Sequence, residues 1–143
     1  MKKRTTVTFA LLDIEGDGFH LVADVSLNHK PARMLIDTGA SRTVFDKNRI
    51  QNFIPESAPT LTDKTSVGLG TDTMESHIEM LQEFEIGKLK IREMQIILLD
   101  LVHVNQSYQK IGLPAIDGVI GSDLLTQHKA VIDYSKKKLT LSY

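Results

Sequence analysis

Asp37, Thr38 and Gly39 follow directly on three apolar residues, Met34-Leu35-Ile36, and an apolar pair returns at Val44-Phe45. A carboxylate at the tip of an apolar strand is costly to desolvate. Rigid mounting of this kind is what general acid–base work requires. Thr38 offers a hydroxyl that can bridge to backbone across a tight loop. Gly39 lets the backbone approach a ligand closely. As three letters alone, Asp-Thr-Gly reads as an ordinary turn. The setting argues for more. No other carboxylate of the chain leaves an apolar strand into a Thr-Gly loop, Ala40-Ser41 follows, and a second apolar-apolar-glycine element, Gly118-Val119-Ile120-Gly121, stands about eighty residues downstream.

Strands must hold these residues, because the hydrophobic period is mostly two rather than 3.6. Residues 5–12 and 19–27 read as strands joined by the Glu15-Gly16-Asp17-Gly18 turn, and Asn28-His29-Lys30-Pro31 makes the next turn before a strand at 32–36. A short strand at 43–45 follows the Asp-Thr-Gly loop, and Asp46 is a competent N-cap for a helical turn over 46–50. Residues 51–64 read as a surface loop, and 64–80 as a long hairpin with its tip at Gly68-Leu69-Gly70-Thr71-Asp72. Strands at 80–86 and 89–101 come next, while 102–116 carry no clear pattern. The Gly118–Gly121 element is a fully apolar strand. Ser122 or Asp123 then caps a short helix through Leu124–His128, and 130–134 with 138–141 closes the chain as a hairpin. The expected class is all-β, one domain over 1–143, with one short helix.

The 143 residues suit a single core, and 41% hydrophobic with 24% charged content is ordinary for a globular protein. A formal net charge of −1 gives no electrostatic case for nucleic acid. With no cysteine there are no disulfides, thiolate metal sites or cysteine nucleophiles, which fits a reducing compartment such as the cytoplasm. No stretch approaches the roughly 18 apolar residues of a membrane span, and Asp13 and Glu15 interrupt the N-terminal apolar segment before a signal sequence forms.

Residues 34–45 (MLIDTGASRTVF), with Gly118-Val119-Ile120-Gly121-Ser122-Asp123-Leu124-Leu125, resemble the two signatures of retropepsin-like aspartic proteases. The resemblance implies a closed β-barrel with a flap hairpin, and an endopeptidase that activates water between two aspartates. Since the chain carries one Asp-Thr-Gly, it also implies a homodimer in which one Asp37 from each chain meets its mate on a two-fold axis. Two carboxylates that close share a proton, one acting as base toward water and the other donating to the scissile carbonyl. By the same resemblance Asp37 is catalytic, and Thr38, Gly39 and Ala40 support the loop. Gly39, Ser41, Gly68, Leu69, Gly70 and Ile120 face an extended peptide or protein substrate, with 67–73 as the flap. No metal or cofactor is implied.

Three departures stand out. Ala40 occupies a position where pepsin-like lobes place a hydroxyl donor to the carboxylate. Ser41 and Ser122 replace an acidic and a basic residue of retroviral enzymes, and with them an ion pair. These losses leave room for a second reading, a non-catalytic dimeric peptide-binding or interaction module. A phosphate site is disfavoured because no helix follows Gly39, and a serine hydrolase because GxSxG is missing. His20, His29, His77, His103 and His128 lack HxxxH spacing and read as surface or satisfied histidines. Asp117, Asp123 and Asp133 read as turn or capping residues.

Overall fold

The computed structural model describes residues 2–55, 60–61 and 77–143. Its strands are β1 (Arg4–Asp13), β2 (Phe19–Leu27), β3 (Lys30–Ile36), β4 (Val44–Asp46), β5 (Thr60–Leu61), β6 (His77–Ile86), β7 (Leu89–Leu99), β8 (Gly118–Ile120), β9 (Val131–Asp133) and β10 (Lys138–Ser142). Two helices, α1 (Val102–Lys110) and α2 (Ser122–Gln127), and a 3-10 turn at Ile50–Asn52 accompany them among the described residues. Among the described residues no helix is long and apolar enough to cross a membrane.

Six strands close into a barrel in the order β2, β3, β8, β4, β7, β6 and back to β2. Closure is possible because β2 changes partner along one edge. Residues Phe19–Ala23 run against β1, whereas Ser26 and Leu27 pair with Glu85 and Phe84 of β6. β1 makes the same switch, from β10 over Arg4–Thr8 to β2 over Phe9–Asp13. The alternation of strand side chains then builds two cores. Leu21, Ala23, Val25 and Leu27 join Phe9, Phe45, Phe84 and Leu81 inside the barrel, where each large side chain contributes about 1.5–3 kcal/mol. Val22 points the other way, into a second cluster with Val44, Leu99, Tyr108, Ile116 and Val119.

The turn between β2 and β3 is shorter than its four-residue expectation. Asn28 and His29 both have positive φ, 50° and 67°, the backbone a two-residue hairpin of matching twist needs. Asp46 is not a helix cap but the last, buried residue of β4. Its carboxylate accepts from Asn48, from the Leu101 N–H and from Asn105 Nδ2, tying β4 to the start of α1. The helical turn expected over 46–50 appears instead as the 3-10 turn running from Ile50 into the expected surface loop, which also contains β5, and the strand expected to run to 101 stops at Leu99.

The expected short helix is α2, but its N-cap is Gly121 rather than Ser122 or Asp123. The second helix, α1, arises where no periodicity was visible. Only Tyr108 of its nine residues is buried, so it presents no apolar stripe. Polar anchors hold it instead. Asn105 exchanges two hydrogen bonds with the Ile116 backbone, and Asp100 accepts from the Val102 N–H at 2.9 Å and from Asn48 Nδ2 at 2.7 Å. Those bonds hold Asp100 below its ordinary 3.8, the Val102 N–H most of all. A depressed folded value contributes stability above the unfolded pKa that is lost as pH falls through the folded one. Because Asp100 is exposed and screened by solvent, Asp100→Ala is expected to lower the urea midpoint only slightly at pH 7, with the gap to wild type closing below pH 3.8 in urea titrations.

Candidate active site

β3 ends at Ile36, and the chain turns outward at once. Ile36 and Ala40 are buried, whereas Asp37, Thr38, Gly39 and Ser41 are exposed. The Asp37 carboxylate therefore stands on the surface of a single chain. It is held firmly there: the Asp37 N–H donates to the Ile120 carbonyl at 3.0 Å, the Ala40 N–H to the Asp37 carbonyl at 3.2 Å, and the Gly39 N–H to Asp37 Oδ1 at 2.9 Å. Among the described residues no donor reaches Asp37 Oδ2 and no partner reaches the Thr38 hydroxyl. Ala40 supplies a buried methyl and no hydroxyl donor.

β8 lies directly behind this loop. It pairs parallel with β3, Ile36 opposite Ile120, and antiparallel with β4, Val44 opposite Val119. A strand flanked on both edges and covered on both faces must be apolar throughout, which explains the Val119-Ile120 pair. Ile120, expected beside a substrate groove, is fully buried and backs the loop instead. The glycines on either side of it are spacers. A Cβ on Gly118 would lie 2.6 Å from the Val44 carbonyl oxygen, and one on Gly121 would lie 2.6 Å from the Arg42 carbonyl.

Thr43 and Asp123 join the two signatures, a link the sequence did not disclose. The Thr43 N–H and hydroxyl both donate to the Asp123 carboxylate, at 3.0 and 2.7 Å, while the same hydroxyl accepts from the buried Gly121 N–H at 3.0 Å. The Ser122 N–H completes the clamp on the Ala40 carbonyl at 2.7 Å. Thr43→Val keeps the shape but strands the Gly121 N–H; the urea midpoint should fall by an amount equivalent to about 1–3 kcal/mol with an unchanged slope.

Asp117, read as a turn residue, is a buried partner of Arg49, with Nε 2.7 Å from Oδ1, and it also accepts from the Arg33 N–H. Beside Asp37 and Thr38 opens a cavity of about 240 Å³ walled by Phe19, His20, Leu35, Ile132 and Tyr134. Phe19 and Tyr134 are 59% and 60% exposed, unusual for aromatic side chains of this size. His20 Nδ1 lies 2.7 Å from the Tyr108 hydroxyl, so this histidine is satisfied, as expected. Burial pushes the Tyr108 phenol above its ordinary value. Gly68, Leu69 and Gly70, the expected flap tip, lie outside the described residues.

Among solved structures, the chain is similar to a retropepsin-like aspartic protease from Rickettsia conorii, at 20% identity and a TM-score of 0.61, with 100% of this chain and 94% of that chain covered. It is also similar to the retroviral protease-like domain of Ddi1 from Leishmania major, at 18% identity and a TM-score of 0.57, over 85% of this chain and 87% of that one. At such identities the likeness is one of fold. No curated protein sequence matches. A family model described as aspartyl protease matches residues 23–124, a span that runs from β2 into α2 and includes the Asp37 loop, Thr43, β8 and Asp123. On that span, and with a retropepsin-like fold around it, the chain belongs to the aspartyl protease family.

Proposed function

We propose that the protein is an aspartic endopeptidase active as a homodimer, with Asp37 of each protomer facing its mate across the two-fold axis. The observation that carries this reading is the exposure of Asp37 and Thr38 on a loop otherwise braced from behind. A rigid carboxylate with one oxygen uncommitted among the described residues is half of a dyad, and a second copy of the loop is the partner that would desolvate it. The Thr38 hydroxyl, without a partner among the described residues, is then available to its symmetry mate. One Asp37, ionised, takes a proton from water as the water oxygen attacks the scissile carbonyl carbon. The other, protonated, gives its proton to the carbonyl oxygen, forming a gem-diol. Collapse returns a proton to the leaving nitrogen, and the carbon–nitrogen bond breaks. The cavity beside Asp37, with Phe19 and Tyr134 on its wall, suits an apolar side chain of an extended substrate.

The test is cleavage of a mixed peptide library between pH 3 and 8, read by mass spectrometry, with and without pepstatin. Wild type is expected to cleave, pepstatin to block it, and Asp37→Ala to be inert. Cleavage that persists in Asp37→Ala removes the aspartic mechanism. Saturable peptide binding without cleavage by the dimer turns the reading to a non-catalytic peptide-binding module.

A further inference from the structure

At the end of β3 remote from Asp37, three side chains converge without an evident purpose. His29 stands on the tight turn between β2 and β3, and Glu83 and Glu85 project from β6. One ligand atom from each lies within 4.8 Å of the others. His29 Nδ1 is 3.4 Å from Glu85 Oε1 and 3.8 Å from Glu83 Oε1. Glu83 is only 8% exposed, and its Oε1 is buried with no hydrogen-bond partner among the described residues. Arg92 engages the other oxygen, with Nε 3.4 Å from Oε2. A buried carboxylate oxygen left without a partner is unfavourable, and placing a second carboxylate beside it adds repulsion.

From this cluster we infer a binding site for a divalent transition-metal cation, held by His29 Nδ1 and the carboxylates of Glu83 and Glu85. Four ligands at about 2.1 Å in a tetrahedron stand about 3.4 Å apart, close to the two separations from His29. The ligand set is one imidazole and two carboxylates, with room for water as the fourth. A nitrogen in the set favours a cation such as Zn²⁺ over Mg²⁺ or Ca²⁺, which select oxygen ligands. The backbone is prepared for it. Asn28 binds Glu83 in both directions, its N–H donating to the Glu83 carbonyl at 2.9 Å and its Oδ1 accepting from the Glu83 N–H at 3.0 Å. The residue next to His29 is thereby fixed against the residue that carries the orphan oxygen.

The location gives the ion a purpose. β6 meets β2 through only two residue pairs, Ser26–Glu85 and Leu27–Phe84, and this is the seam that closes the barrel. A cation joining the β2–β3 turn to β6 would staple that seam. The other occupant able to separate two carboxylates is a proton shared between them.

The full-length protein, stripped with EDTA, should be titrated with Zn²⁺ by calorimetry and melted with and without the ion. One Zn²⁺ per chain and a rise in Tm of several degrees are expected, with Mg²⁺ giving no shift. His29→Ala, an exposed change, and Glu85→Gln should each weaken Zn²⁺ binding at least tenfold. Asp37→Asn should bind as wild type does, which separates this site from the proposed dyad. No Zn²⁺ heat and no Tm shift would leave the shared proton as the occupant and overturn the inference. Binding of equal strength in His29→Ala and Glu85→Gln would also overturn it, by placing the ion elsewhere.

Discussion

Asp37→Asn should lower kcat for peptide hydrolysis by about 10²–10⁴-fold, the range of a positioned acid–base group, while the protein folds as before. Asparagine keeps an oxygen for the Gly39 N–H, and the side chain is exposed, so neither packing nor the loop bond is lost. Circular dichroism and the urea midpoint should match wild type. If two carboxylates are needed per site, mixing carries a second signature. Equal amounts of wild type and Asp37→Asn, allowed to exchange subunits, should retain about a quarter of the activity of the same total of wild-type chains, because only that share of random pairs carries two aspartates. A loss of half, as independent sites give, rules out the paired arrangement.

Gly121→Ala should be the more destabilising change although it adds one methyl group to a residue with no chemistry. The new Cβ would stand 2.6 Å from both the carbonyl carbon and oxygen of Arg42 and 2.9 Å from the Ala40 oxygen. All three are backbone atoms, so no rotamer change relieves the contact. Nor can the Ala40 carbonyl drift away, because the Ser122 N–H holds it at 2.7 Å. Overpacking of this kind costs about 1–3 kcal/mol. The strain falls on the segment that carries Asp37, and a displacement on the order of 1 Å can cost about 100-fold in rate. Gly39→Ala is the control for stability, since among the described residues its Cβ would meet only Asp37 Oδ1, at 3.3 Å. The unfolding midpoint of Gly121→Ala should drop clearly and that of Gly39→Ala little. Equal midpoints would show that the backbone behind the loop yields more easily than these distances allow.

The parts of the molecule legible in the sequence are those written in adjacent residues. Met34–Thr38 and Gly118–Gly121 declare a strand, a loop and a doubly buried strand because their burial pattern is local. The parts that escaped are held by pairs far apart in the chain. Thr43 and Asp123 are 80 positions apart, and nothing in either neighbourhood marks the bond. Helix α1 escaped because polar anchors, Asp46, Asp100 and Asn105, replace an apolar face. His29 was set aside for want of a second histidine at helical spacing. Its neighbours Glu83 and Glu85 come from a strand that only barrel closure brings alongside. The wall of Phe19 and Tyr134 beside Asp37 was hidden for the same reason, one residue coming from β2 and the other from the turn after β9.

The insertion of β8 between β3 and β4 sets the order of events during synthesis. While the ribosome is still adding residues before Gly118, β3 and β4 lack the strand that separates them, and the Asp37 N–H lacks the Ile120 carbonyl. The nascent chain thus carries its carboxylate long before it carries the support that orients it. Contacts this distant in sequence also slow folding, so the Asp37 loop acquires its brace only after Ile120 has been added.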